Sequence, residues 1–192
     1  MAKKSFIKTP IEISARHIHL TQFHFEKLFG KKEPTFYKKL GQSQFAAKET
    51  VTLRKGKKTI KNVRLVAPFR KKTQVELSFT DAINIGIKPV LRLSGNLKNT
   101  PGIELIGPKG RVYLKDGVIV AKRHLHLSPS EAQKIGLKHK DVVSILVKGK
   151  RALLFGNVIV RVKEGYNMCV HLDTDEGNAA GIFKKGVGYI VL

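Results

Sequence analysis

The 192-residue sequence contains one cysteine and no tryptophan. A single thiol excludes an internal disulfide framework and any zinc module built from several cysteines of one chain. Acidic residues are scarce: 14 Asp and Glu stand against 37 Lys and Arg, a formal charge of +23. No apolar run approaches the roughly 18 residues of a membrane helix. The start, Met1-Ala2-Lys3-Lys4-Ser5-Phe6-Ile7, is basic but leads into no apolar core. No secretory leader is read, and the simplest compartment is the cytoplasm. There is no P-loop, no dinucleotide glycine fingerprint and no Ser/His/Asp arrangement. Hydrophobic content of 42% is that of a globular chain, which excludes a disordered polycation.

The positive charge is scattered in pairs and triplets such as Lys31-Lys32, Lys57-Lys58, Arg70-Lys71-Lys72 and Lys184-Lys185. Such an excess fits an RNA-binding protein or a binder of small phosphorylated molecules. No aromatic RNA-binding motif supports the first.

Short β-branched runs dominate: Val51-Leu53, Val63-Leu65, Val75-Leu77, Gly117-Val120, Val142-Ile145, Val158-Val160 and Tyr189-Leu192. They read as strands separated by Gly, Asn, Pro and Lys pairs. Two segments read as short helices. Leu20-Thr21 leads into Phe23–Phe29 and stops at Gly30. Ser128-Pro129-Ser130-Glu131 is a capping box leading into Ala132–Ile135 and stopping at Gly136. Further short helices are expected near Thr80-Asp81 and Asp175-Glu176.

These pieces repeat. Arg16-His17-Ile18-His19-Leu20-Thr21 matches Arg123-His124-Leu125-His126-Leu127-Ser128. Asn62-Val63 matches Asn157-Val158, Val75-Glu76-Leu77 matches Val170-His171-Leu172, and Gly86-Ile87 matches Gly181-Ile182. The unit is a His-x-His strand, a capped helix, a hairpin, a strand and a short helix, with extra residues in the first copy between Thr21 and Asn62. A mainly β fold of two small packed β-barrels from an internal duplication, with short capping helices, is expected. The first repeat is drawn over 1–98. The second, with a connector at Ser94–Pro108, is drawn over 99–192. That boundary is left open, and strands can be exchanged between the barrels.

Residues two apart on a strand share a face, so His17 with His19, and His124 with His126, present paired imidazoles. Duplicated in register, they point to metal, most naturally Zn²⁺. Glu76 and His171 sit at equivalent positions between Val and Leu. A carboxylate so flanked needs a partner if buried. Pseudo-symmetry suggests one site from Glu76, His124, His126 and His171, and a second from His17 and His19 with open positions for substrate. Arg70, on a bend before the Glu76 strand, suits bidentate phosphate contact. Glu49 reads as a carboxylate supporting the site or as a surface charge. His24 and His139 read as surface residues, and Cys169 as an inert, buried thiol.

Several motifs resemble one family in order along nearly the whole chain, from about Ile11 to Leu192. They are Arg16-His17-Ile18-His19-Leu20, Gly41–Val51, Arg70-Lys71-Lys72-Thr73-Gln74-Val75-Glu76, Ser94-Gly95-Asn96, Arg123-His124-Leu125-His126 and His171–Gly181. The family is that of the PduL-like phosphotransacylases, also called phosphate propanoyltransferase. The resemblance implies a two-barrel protein with two zinc ions per chain. It implies the activity acyl-CoA + phosphate ⇌ acyl phosphate + CoA. His17 and His19 would match the ligands of one metal, and Glu76, His124, His126 and His171 those of the other. Arg70 would match the residue contacting phosphate. Lys48 replaces a glutamate usual beside Glu49, which weakens any ligand role there. The implied partners are coenzyme A, acyl-CoA, phosphate and acyl phosphate. Membrane and nucleic acid are not expected, although the charge leaves nucleic acid open, and a homo-oligomer is left open.

Phosphate is itself nucleophilic near neutral pH, so direct attack on the thioester is the simplest scheme. The competing hypotheses are a basic RNA-binding protein with a structural metal, and a metallohydrolase acting on a thioester or phosphate ester. Microcompartment members of the family carry an amphipathic N-terminal extension. About nine residues precede Pro10 here, too few for a stable helix of that kind. The expectation is a free cytoplasmic enzyme that uses acetyl-CoA at least as well as propanoyl-CoA.

Overall fold

The computed structural model describes residues 6–41 and 44–192. Met1–Ser5 of the N-terminal reading, and Gln42 and Ser43 of the family stretch, lie outside the described residues. In chain order the chain runs β1 (Phe6–Ser14), β2 (His17–His19), α1 (Gln22–Phe29), β3 (Phe36–Lys39), β4 (Phe45–Lys55) and β5 (Lys58–Ala67). It continues as β6 (Gln74–Leu77), α2 (Phe79–Ile85), β7 (Leu91–Arg92), β8 (Ile103–Ile106), β9 (Arg111–Leu114) and β10 (Val118–Ala121). It closes with β11 (His124–Leu127), α3 (Pro129–Ile135), β12 (Val142–Val147), β13 (Leu153–Val162), β14 (Cys169–Asp173), α4 (Thr174–Ala180) and β15 (Lys185–Val191).

The mainly β reading holds, and the expected order of strand, capped helix, hairpin, strand and helix occurs twice. In the first copy it is β2, α1, β4–β5, β6, α2. In the second it is β11, α3, β12–β13, β14, α4. Local chemistry explains the punctuation. The Thr21 side chain caps α1 by accepting from the His24 amide, and Gly30 ends it in the left-handed region at φ 67°. Ser128 and Glu131 form the expected capping box of α3, with Pro129 in its first turn. Asn62 and Asn157, equivalent in the repeat, both take positive φ, at 58° and 56°.

The chain divides into two compact units, and the division departs from the expected boundary at 98/99. Ala15–Ala121 forms one unit; Lys122–Leu192 together with β1 forms the other. Hydrogen bonding gives the reason. Residues 99–121 complete the first sheet, because β8 pairs with β4 and β10 pairs with β6. The supposed connector thus contains a core strand, with Ile103 and Leu105 fully buried. Strand β1 belongs with the second repeat, parallel to β14 and antiparallel to β15.

The second-repeat unit is a closed barrel in the order β1-β14-β11-β13-β12-β15. Ile11, Leu125, Ile145, Val158, Val160, Val170 and Ile190 fill it. Gly177 lets α4 lie against β1: a Cβ there would sit 2.6 Å from Ile13 Cδ1. Among the described residues the sheet of the first-repeat unit is not closed. It is a curled nine-stranded sheet in the order β7-β10-β6-β2-β5-β4-β8-β9, with β3 beside β4. Its core gathers Ile18, Leu20, Phe25, Leu28, Leu53, Leu65, Val75 and Val120. Burying a side chain such as Phe25 contributes about 1.5–3 kcal/mol.

Candidate metal centres

In both units the interior takes the residue between the paired histidines, Ile18 in one and Leu125 in the other. With a period of two, the histidines must then face away from that core. In the first-repeat unit β2 runs antiparallel to β6 with His17 opposite Glu76 and His19 opposite Gln74. In the barrel unit β11 runs antiparallel to β14 with His124 opposite His171 and His126 opposite Cys169. The duplication therefore preserves the register that brings a third candidate ligand across from the first histidine.

His17, His19 and Glu76 converge. His17 Nε2 and His19 Nε2 are 3.2 Å apart, and Glu76 Oε1 lies 3.6 Å from the first and 3.7 Å from the second. His17 Nδ1 is 2.8 Å from the Ala15 carbonyl and His19 Nδ1 is 2.9 Å from that of Val66. Each carbonyl selects the tautomer with hydrogen on Nδ1, which leaves the Nε2 lone pair aimed at the shared point. Ligand atoms of a tetrahedral zinc, at roughly 2.0–2.1 Å from the ion, lie about 3.3 Å from one another. The observed spacing fits. Glu76, expected with His124, His126 and His171, instead stands with His17 and His19, because the β2–β6 pairing sets it there.

The electrostatics of this set are asymmetric. Burial and the neighbouring charges of His17 and Arg70 push His19 well below the usual histidine value. Burial also opposes charge on His17, but the Glu76 carboxylate outweighs it and raises His17 overall. Burial acts to raise Glu76, yet His17, His19 and Ser94 hold it well below the usual carboxylate range.

A polar network that the sequence reading missed supports Glu76. Gln74, buried, donates its amide to Glu76 Oε1 at 2.5 Å and to Ser94 Oγ at 2.9 Å, and its own oxygen accepts from the Gly95 amide at 2.8 Å. Ser94 Oγ donates to Glu76 Oε1 at 2.9 Å and accepts from Arg70 Nη1 at 2.9 Å. Gly95 holds this loop at φ 99°, a conformation costly for other residues. Gln74 and Ser94 stood within the family motifs, but only the fold gives them this work.

In the barrel unit the rings of His124, His126 and His171 cluster, with centroids 4.7 Å, 5.1 Å and 4.7 Å apart. His124 Nδ1 lies 2.9 Å from the Lys122 carbonyl, the same device as at His17. Among the described residues, neither buried ring nitrogen of His126 has a hydrogen-bond partner. Burial, with the charges of His124, His171 and Arg161, pushes His126 down to about 2. An orphaned neutral imidazole among two others fits a metal, which would satisfy what the protein leaves open.

In this unit the trio whose ligand atoms lie within 4.8 Å of one another is a different one, Glu12, Cys169 and His171. It is less ready to bind. Glu12 pairs with Lys185 at 3.0 Å, and burial with the Glu12 charge pushes the Cys169 thiol up to about 12. Cys169 is buried, as expected.

The other candidates fall outside these sets. Glu49 is paired with Lys31 and accepts from the Thr35 amide at 3.1 and 3.0 Å, so it pins the segment after α1 onto β4. His24 is half-buried rather than a surface residue: its Nδ1 lies 2.7 Å from Thr73 Oγ1, which ties α1 to the turn carrying Arg70. His139 is exposed, as expected, and its Nδ1 accepts from the Val162 amide.

In this mainly β duplication each unit carries a histidine-rich candidate metal set, and one of the two is joined to an arginine, a combination suited to an anionic substrate. Comparison with known proteins narrows it. A family model described as phosphate propanoyltransferase matches residues 10–183. A phosphate propanoyltransferase of Lachnoclostridium phytofermentans is 49% identical over 181 residues, covering 93% of this chain and 85% of that protein. Those of Thermotoga maritima and Salmonella typhimurium are 47% and 48% identical. They cover 94% and 90% of this chain, and 88% and 83% of their own lengths. The chain belongs to the phosphate propanoyltransferase family and is a phosphotransacylase.

Proposed function

We propose that the chain transfers a propanoyl group between coenzyme A and phosphate, with His17, His19 and Glu76 holding one zinc ion and His124, His126 and His171 another. The relatives bear the propanoyl name, and this replaces the acetyl preference expected from the N-terminus. The observation that carries the reading is the convergence of His17 Nε2, His19 Nε2 and Glu76 Oε1 beside an arginine tied to the same carboxylate through Ser94.

Zinc bound at such sets supplies Lewis acidity, which polarises a thioester carbonyl and stabilises a leaving thiolate. The protein's own groups do the rest. Arg70 binds the phosphate dianion through its planar fork and orients it. Ser94 fixes the Arg70 side chain through Nη1. His17 and Ser94 hold Glu76 ionised, Gln74 aims it, and burial keeps His19 and His126 neutral, so Glu76, His19 and His126 shed no proton to become ligands. A phosphate oxygen attacks the carbonyl carbon, the C–O bond forms, the C–S bond breaks and coenzyme A leaves as the thiolate. No protein nucleophile is needed. The sole cysteine supports this, since its thiol holds its proton up to about 12.

The test is coenzyme A release from propanoyl-CoA and acetyl-CoA, with and without phosphate, before and after chelation. Release should require phosphate, favour propanoyl-CoA and fall on chelation with recovery on adding zinc. Phosphate-independent release would mean a hydrolase. Full activity in thoroughly stripped protein would remove the metal from the reading.

A further inference from the structure

Arg16 and Arg123 precede the two His-x-His pairs at equivalent positions of the repeat. Each reaches an acid at another pair of equivalent positions. Arg16 Nη1 is 2.5 Å from Asp81 Oδ1, and Arg123 Nε binds Glu176 Oε1. Asp81 and Glu176 are each the third residue of a short helix, and that helix begins three residues beyond the third candidate ligand: α2 after Glu76, α4 after His171. The helix caps lock those acids in place. Ser78 Oγ accepts from the Asp81 amide, while Asp173 and Glu176 form a reciprocal capping box. The residue before each arginine carries the carbonyl that faces Nδ1 of the first histidine, Ala15 for His17 and Lys122 for His124.

We propose that Arg16 and Arg123 are positioning residues: each ties the entry of its His-x-His strand to the helix beyond the third ligand and so fixes the carbonyl that aims the first histidine. This rests on the reading of the two histidine sets as metal sites. The side chains of Arg16 and Arg123 are 46% and 34% exposed and those of Asp81 and Glu176 13% and 18%, so each pair sits at the edge of solvent, where ion pairs contribute modestly to stability. The same geometry nevertheless recurs in two units, with an aspartate in one and a glutamate in the other. Arg123 is further fixed by donating Nη1 to the Gly156 carbonyl at 3.0 Å.

Glu176 also explains why an acid is needed. Its Oε1 takes Arg123 and its Oε2 takes the Asp173 amide. An amide side chain has one oxygen, so Glu176→Gln can keep the cap or the arginine but not both.

The test measures bound zinc and the rate at which a chelator removes it. The wild type is compared with Arg16→Ala, Arg123→Ala, Arg123→Lys and Glu176→Gln, and the thermal midpoint of each stripped protein is recorded. Wild type should hold about two zinc ions. Arg123→Ala and Glu176→Gln should release one of them roughly tenfold faster, the lower end of the effect of groups that orient ligands. Arg16→Ala should speed the other. Arg123→Lys keeps an ion pair and should release near the wild-type rate. Stripped midpoints should move little. Two zinc ions with unchanged release in every variant would overturn the positioning role, and so would release that quickens only in step with lost stability of the stripped protein. Wild type without zinc would overturn the metal reading itself, and the role with it.

Discussion

The hydroxyl of Ser94 stands 2.9 Å from Glu76 Oε1, as donor, and 2.9 Å from Arg70 Nη1, as acceptor. One small side chain thereby couples the arginine suited to phosphate with the carboxylate beside His17 and His19. Removing it should disturb both. Ser94→Ala leaves Glu76 and Arg70 each short of a charge-assisted hydrogen bond, a loss of about 1.5–3 kcal/mol per bond at most. Initial-rate kinetics should show kcat/KM for phosphate lower by roughly ten- to hundredfold, with the KM for acyl-CoA much less affected. Equal loss for both substrates would point to general damage.

Arg70→Lys should separate charge from shape. Lysine keeps the positive charge but lacks the planar fork. The KM for phosphate should rise by roughly tenfold or more, an effect of about 1.4 kcal/mol, while the KM for acyl-CoA stays near wild type. An unchanged phosphate dependence would leave Arg70 as a basic turn held by Ser94.

Much of this arrangement was legible in the sequence, for a physical reason. His17-Ile18-His19 and its copy are local, and a period of two puts both histidines on one face wherever the strand goes. The caps at Thr21 and Ser128 are local as well. What stayed hidden depends on pairing over long separations. Glu76 was grouped with the second set by symmetry, whereas the register of β2 against β6 places it opposite His17. Strand β1 was unread because Pro10 interrupts its donor row and its partners β14 and β15 lie far along the chain. Ser94 and Gln74 sat in recognised motifs, but a loop serine shows no role until Gly95 turns the chain toward Gln74.

Gly177 tests the packing of the barrel unit. A methyl group there would meet Ile13 Cδ1 and the Ile182 carbonyl, both at 2.6 Å. The carbonyl cannot step aside, because it is backbone. Gly177→Ala gains helix propensity of about 0.8–1 kcal/mol, but overpacking of this kind costs about 1–3 kcal/mol. The net should be destabilisation by up to about 2 kcal/mol, read as a lower denaturation midpoint at unchanged slope. A stabilised variant would show that α4 can move off β1.

His126 gives the pH dependence its sign. Its folded value is about 2, against an ordinary value of 6.5, because burial and the charges of His124, His171 and Arg161 disfavour the imidazolium. In the unfolded chain His126 takes up a proton as pH falls below about 6.5, and in the folded protein it does not until about 2. The unfolded state therefore binds more protons throughout that window, so stability is full above it and drains away as the pH falls through it. One such group changes stability by at most about 1.4 kcal/mol per pH unit. His19, also depressed by burial, acts in the same direction, whereas His17, raised by Glu76, acts oppositely. The contribution of His126 is isolated by comparing zinc-stripped wild type with zinc-stripped His126→Gln in urea at several pH values. Between about pH 6.5 and about pH 5 the wild type should lose up to about 2 kcal/mol more than the variant. Parallel loss in both proteins would mean that the buried imidazole accepts its proton in place, and that the crowding of His124, His126 and His171 does not hold it neutral.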